Sequence, residues 1–222
     1  MHIGTSIAID GPVASGKTVV GRLIARDLGY PFLDTGVMYR AIAWVILNRS
    51  VKLEDSHSVE ELIQSLSLEV RDSPSGNIAS INGHDITQYL RTPEVESFVS
   101  RISEVPFIRE LMVHKQRAMT ANTPMVLAGR DIGTVVIPQA RLKFFLKASS
   151  EERANRRYIQ MVESGKSPEF STVKHELDTR DQIDTKRIHS PLKIATDAHV
   201  IDTDSLSIKQ VVQRILDIVR KL

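Results

Sequence analysis

Short apolar runs alternate along this chain with longer stretches in which apolar residues recur every three to four positions. Ser6-Ile7-Ala8-Ile9-Asp10 is an apolar run of strand length and predicts a buried strand. Residues 17–28 carry apolar positions at helical spacing, and Gly29 is placed to stop that helix. Residues 30–34 predict a second strand and residues 37–47 a second helix. Residues 125–128 and 142–146 predict further buried strands, and His199-Val200-Ile201-Asp202 a last short one. Ser149-Ser150-Glu151-Glu152 opens a helix, with serine to cap the first free N–H groups and acids to meet the positive end of the dipole. Residues 207–222 form an amphipathic closing pattern. Strands alternating with helices imply an α/β fold, a parallel sheet covered by helices on both faces.

The middle of the chain breaks this rhythm. Apolar residues 68–70 and 78–81 flank Asp72-Ser73-Pro74-Ser75-Gly76-Asn77, which predicts a small hairpin, and helical patterns follow over residues 93–121. Residues 35–122 are therefore expected to be an insertion that contacts a second substrate. No repeat, low-complexity tract or Gly/Ser linker divides the chain, so residues 1–222 are expected to form a single domain.

Composition narrows the function classes. Hydrophobic residues at 41% and charged residues at 25% allow an ordinary core. Lys and Arg total 29 against 27 Asp and Glu, and a net charge of +2 with only 5% aromatic residues gives no footprint for nucleic acid. The absence of cysteine excludes disulfides and thiolate metal sites. The apolar runs are too short to cross a bilayer. Met1-His2-Ile3-Gly4 lacks the basic-then-apolar order of a secretion signal. A cytoplasmic protein is expected, working as a monomer without a membrane partner.

The sharpest chemical signal is Gly11-Pro12-Val13-Ala14-Ser15-Gly16-Lys17-Thr18, which matches G-x-x-x-x-G-K-[ST] between a predicted strand and a predicted helix. Glycines let the backbone wrap an anion closely, and successive N–H groups at a helix N-terminus stabilise phosphate charge. Lys17 is expected to reach the β- and γ-phosphates, and Thr18 to place its hydroxyl on Mg²⁺. The Asp-x-x-Gly and Asn-Lys-x-Asp strings expected of a switch GTPase do not occur, which leaves kinases and ATPases.

Arginines supply candidate sites for a second anion. In Asp34-Thr35-Gly36-Val37-Met38-Tyr39-Arg40, Gly36 permits a tight turn and Arg40 sits in the first turns of the next helix. In Gly129-Arg130-Asp131-Ile132-Gly133-Thr134, Arg130 and Asp131 follow a strand's carboxyl end, where open α/β sheets bind ligands; alternatively Asp131 caps a helix and pairs with Arg130. A third series, Arg153, Arg156, Arg157, Arg180 and Arg187, surrounds Gly165-Lys166-Ser167-Pro168, which breaks the helical pattern as a mobile lid over residues 153–168 would. An exposed helix laced with ion pairs is the alternative there.

Together these pieces resemble the bacterial-type cytidylate kinases, within the nucleoside monophosphate kinase family. The carriers are the phosphate loop with Ile9-Asp10, Leu33 through Arg40, Arg91-Thr92-Pro93-Glu94-Val95, Gly129 through Val136, Ser149 through Ala154, and Arg180-Asp181 with Asp184, Arg187 and Pro191. The resemblance implies a P-loop NTPase fold that uses ATP with Mg²⁺ and phosphorylates CMP or dCMP. It gives Thr35, Tyr39, Arg40 and Arg130 to the monophosphate, and Ser100, Arg109 and Asp131 to the cytosine. Arg180, Asp184 and Arg187 would contact sugar and phosphates, and Arg157 the transferring phosphoryl group and ATP. Lys17, Arg130, Arg157, Arg180 and Arg187 would carry the charge of the transfer. Where the family commonly has an acid before Gly-Arg-Asp this chain has Ala128, so Thr18 remains the one expected protein ligand of Mg²⁺. Kinases of UMP, AMP or a metabolite, and a nucleotide-regulated binding module, are the competing expectations.

Overall fold

The periodicities resolve into strands whose alternate side chains feed two different cores. The computed structural model describes residues 5–221; residues 1–4, where the missing secretion signal was read, and Leu222, expected to end the last helix, lie outside the described residues. Five parallel strands form the central sheet: β1 (Ile7–Asp10), β2 (Phe32–Asp34), β6 (Val126–Gly129), β7 (Leu142–Lys147) and β8 (His199–Asp202), in the order β2-β6-β1-β7-β8. Ile7, Ile9, Phe32 and Val126 point to one face, where α1 (Lys17–Leu28) and α8 (Ile208–Val219) cover them with Val20, Ile24, Val212 and Ile215. Ala8, Leu33 and Leu127 point to the other.

On that second face α2 (Thr35–Asn48), α4 (Pro93–Ile102) and α5 (Pro106–Asn122) pack with α3 (Ser56–Gln64) and a three-stranded antiparallel sheet, β3 (Leu68–Arg71), β4 (Ile78–Ile81) and β5 (His84–Asp85). Met38, Ile42, Val59, Ile81, Val99 and Met112 share one apolar cluster with Leu33 and Leu127, so the segment expected as an insertion is continuous with the core. The helical run expected over residues 93–121 is two helices. Pro106 lacks the N–H to continue a helix and holds Val105 extended, which breaks the chain after Ile102. Neither α3 nor α7 (Phe170–Lys186) stood out in the sequence. The buried residues of α7 are only Val173, Leu177 and Asp184, which leaves little apolar stripe to read.

The small sheet is fastened to the edge of the large one by side chains. Asp72 accepts from the Phe32 amide at 2.9 Å, while the Asn77 amide accepts from Asp34 N at 2.7 Å and donates to Phe32 O at 2.7 Å. β2 is an edge strand, and these two residues satisfy backbone groups that a further strand would take. Helix α6 (Ser150–Glu163), capped by the Ser149 hydroxyl as its sequence predicts, packs on α7 through a small cluster of Ala154, Val173 and Leu177 that also touches Val13. Among the described residues no helix is long and apolar enough to cross a membrane.

Candidate active site

The carboxyl ends of β1, β2 and β6 deliver the chemistry to one edge of the sheet. After β1 the chain turns through the phosphate loop with backbone that only some residues tolerate. A side chain at Gly11 would put a Cβ 2.5 Å from Leu146 O, Ala14 is held at φ 58°, and Gly16 enters α1 at φ 90°. Alternation of such conformations turns successive N–H groups toward one concavity, an anion-binding nest. Lys17 is buried and donates from Nζ to Pro12 O at 2.7 Å; burial first, and then Arg130, push its pKa well below the usual lysine range. The Ser15 hydroxyl is buried and makes no hydrogen bond among the described residues, which leaves it available to a ligand.

Asp10, the last residue of β1, is buried and receives the amides of Ile132 and Gly133 at 2.8 and 2.7 Å. It thereby fixes the turn that carries Arg130 and Asp131. Burial pushes its carboxyl up to about 6 against the pull of those two amides. Asp34 ends β2: its Oδ1 caps α2 through Gly36 N at 3.0 Å, and its Oδ2 accepts from the Thr18 hydroxyl at 3.0 Å. Burial works against the Asp34 charge, yet Arg40, Arg91, Lys17 and Thr18 together hold its pKa below the ordinary range. In the sheet register Asp34 pairs with Ala128, so its carboxylate stands beside the place where an acid was expected and is missing. The resemblance string included Asp34, but only the three-dimensional register joins it to Thr18.

The residues expected to hold the acceptor form a set of internal ion pairs. Arg109 of α5 pairs with Asp131, donates to Ser103 O at 3.1 Å, and lies over the Tyr39 ring at 5.5 Å. Arg130 donates to Asp184 at 2.7 Å; Arg187 sits 3.4 Å from Asp184 and 3.9 Å from Asp131. The alternative pairing of Arg130 with Asp131 does not form, and the Asp131 side chain makes no helix cap. Arg109 Nε and Arg187 Nη2 are buried donors with no hydrogen bond among the described residues. Ser100 is buried on α4, and the Thr35 hydroxyl is taken by Ala128 O at 3.0 Å. Arg40 and Arg180 meet at Glu96, together with Arg91.

The basic series on α6 divides by position. Arg153 is buried, bonds to Ala148 O and Val13 O, and pairs with Asp181 at 2.5 Å, so it braces the phosphate loop. Arg156 bonds to Thr203. Arg157, half-buried, bonds to Gln160 of its own helix. No signal in the sequence singled out Glu96 or Asn77: the Arg40 partner of Glu96 and the Asp34 partner of Asn77 lie more than forty positions away in sequence.

The sequence model of the cytidylate kinase family matches residues 7–221. A cytidylate kinase from a Geobacillus species is 46% identical over 221 residues, covering 100% of this chain and 99% of that protein. One from Geobacillus kaustophilus is 44% identical, covering 97% and 96% respectively. Among solved structures, a sugar kinase from a Janibacter species matches with a TM-score of 0.50 at 12% identity, covering 97% of this chain and 94% of that one, a likeness of fold alone. With a family match across nearly its whole length and relatives above 40% identity, the chain belongs to the cytidylate kinase family.

Proposed function

We propose that this protein transfers the γ-phosphoryl group of ATP to CMP or dCMP, giving ADP and CDP or dCDP. One observation carries this reading: Arg130 and Asp184, whose charges act on Lys17 of the phosphate loop, are joined through Arg187 to the buried Arg109–Asp131 pair. The loop suits a triphosphate, and the pair suits a base with both donor and acceptor edges.

Both reacting groups are anions, so the work is to hold them in line and offset their repulsion. Lys17 and the loop amides hold the ATP phosphates. Arg130, Arg180 and Arg187 neutralise the acceptor side, and Arg157, half-buried on α6, comes over the transferring group as residues 153–168 close as a lid. Arg153 stays anchored to Val13 and Asp181 as the fixed end of that lid. The acceptor phosphate is already ionised near neutral pH, so no general base is assigned. The Thr18 hydroxyl and Asp34 carboxylate, 3.0 Å apart, are the hard oxygen donors that fit Mg²⁺ directly or through its waters. Mg²⁺ held there would supply charge neutralisation to the ATP phosphates.

For the base, Asp131 accepts from the exocyclic amino group, and Arg109 serves the ring acceptors. A uracil carbonyl facing Asp131 would be repelled, and this is the source of discrimination. We take the protein to act on free nucleotides as a cytoplasmic monomer. The test is separation of the nucleotides after incubation with Mg·ATP. CDP formed in step with ADP supports the reading; ADP released at the same rate with no acceptor present contradicts it.

A further inference from the structure

The reading above gives Arg40 and Arg180 to the acceptor's phosphate and sugar, yet the protein already holds an anion among them. Glu96, in the first turn of α4, accepts from Arg40 Nε at 2.9 Å and Nη2 at 3.3 Å. The same carboxylate lies 3.4 Å from Arg91 Nη1 and 3.5 Å from Arg180 Nη1. Its two oxygens engage the Arg40 fork side-on, as an oxyanion of a phosphate does. The three arginines come from α2, the turn before α4, and α7, so Glu96 joins three separate parts of the chain. Burial alone would favour the neutral acid, but Arg40, Arg91 and Arg180 hold the carboxyl down at about 2.

A permanent counter-ion and a place-holder differ in what they do to a phosphate. A permanent one orders the arginines and stays. A place-holder keeps mutually repelling guanidinium groups together and competes with the ligand for them. Arg40 commits both its Nε and Nη2 donors to Glu96, so a phosphate that takes that fork must displace the carboxylate. Ser100, assigned to the base, is four residues after Glu96 and therefore on the same side of α4. Release of Glu96 by a phosphate thus acts on the helix that carries a base contact.

We propose that Glu96 is a positioning residue that stands in for the acceptor's phosphate in the free enzyme and yields Arg40, Arg91 and Arg180 to that phosphate on binding, with Arg91 as an additional phosphate ligand. The proposal rests on the acceptor assignment made above. It makes a bare phosphate a poor ligand, because it must displace Glu96 unaided. An acceptor whose base also binds Arg109 and Asp131 meets that cost with its second contact.

The experiment compares wild type with Glu96→Gln, which keeps the shape and removes the charge. Inorganic phosphate binding is followed by calorimetry and by thermal unfolding, and the KM values for CMP and ATP by steady-state rates. The expected result is phosphate binding tighter by roughly tenfold or more, the size of one charge-assisted contact. The KM for CMP falls while that for ATP stays. The variant melts lower than wild type in anion-free buffer and recovers when phosphate is added. Glu96→Asp, which keeps the charge, should stay near wild-type phosphate affinity. Phosphate affinity unchanged or weaker in Glu96→Gln, with the KM for CMP raised, would overturn the proposal in favour of a permanent anchor.

Arg91→Ala leaves the Arg40–Glu96 pair whole and provides the second test should Glu96→Gln not fold. Phosphate and CMP binding should weaken by roughly tenfold; unchanged binding of both would remove Arg91 from the site and overturn the proposal. The acceptor reading fails separately, if wild type prefers another nucleotide while Glu96→Gln still gains phosphate affinity.

Discussion

The phosphate loop and the acceptor site lie at the same edge of the sheet but are built in opposite ways. The loop is eight consecutive residues shaped by backbone, with strained or glycine conformations at Ala14 and Gly16 and one buried lysine. The proposed acceptor site is built from side chains of α2, α4, α5 and α7 and the turn after β6, and its charges are paired with one another. On the loop side Lys17 donates to a neutral backbone carbonyl, Pro12 O, and the Ser15 hydroxyl has no hydrogen bond among the described residues. On the acceptor side a ligand must exchange partners with ion pairs already made. Selectivity belongs on the second side, because only a ligand that replaces those pairs well can bind there.

The largest effect should come from the loop. Lys17→Ala is expected to lower kcat by roughly a hundredfold to a thousandfold, as removal of a single charge-stabilising donor does, while leaving the fold intact. A rate near wild type would break the assignment of the loop to catalysis. On the acceptor side the largest cost should be structural. Asp131→Ala leaves the Arg109 guanidinium buried without its partner and is expected to destabilise the protein by about 3 kcal/mol, measured by urea unfolding at neutral pH.

Two carboxyl groups sharpen the contrast, because they respond to pH with opposite sign. Glu96 is held at about 2, below its ordinary value of 4.5. Its ionisation therefore stabilises the fold above pH 4.5, by about 3 kcal/mol, and this is lost as pH falls toward 2. Asp10, on the loop side, is raised from 3.8 to about 6. Its neutral form favours the fold below pH 3.8, and that contribution, also about 3 kcal/mol, is lost as pH rises through 6. Unfolding free energies measured from pH 3 to pH 7 should slope less steeply upward in Glu96→Gln than in wild type, and more steeply upward in Asp10→Asn. Parallel profiles for all three would contradict both assignments.

The smallest effect concerns the seam between the two regions. Asn77→Ala removes the bonds to Asp34 N and Phe32 O and should cost roughly 1–3 kcal/mol in stability. The same change should raise the KM for Mg·ATP modestly, because Asp34 also holds Thr18. An unchanged KM would confine Asn77 to structure.

The loop side was legible in the sequence because its function depends on neighbours in the chain. The spacing of glycines, lysine and threonine after an apolar run is sufficient to place it, and β1, α1 and their boundary follow from the pattern. The parallel sheet was legible for the same reason. The acceptor side was legible only as scattered arginines and through family resemblance. That Arg130 would choose Asp184 over the adjacent Asp131, or that Glu96 would gather three arginines, depends on how helices cross, which no local period encodes. Helix α7 was missed because it buries only two apolar residues, Val173 and Leu177, beside Asp184, and the break at Pro106 because the apolar spacing continues through it.

The most direct measurement of the central claim, that a buried Arg109–Asp131 pair selects cytosine, is the CMP/UMP ratio of kcat/KM in wild type and in Asp131→Ala. Wild type should show a strong preference for CMP. In the variant that ratio should collapse toward one while the KM for ATP stays nearly constant. An unchanged ratio would show that the base is read elsewhere, and a wild-type preference for UMP would contradict the reading of the site itself.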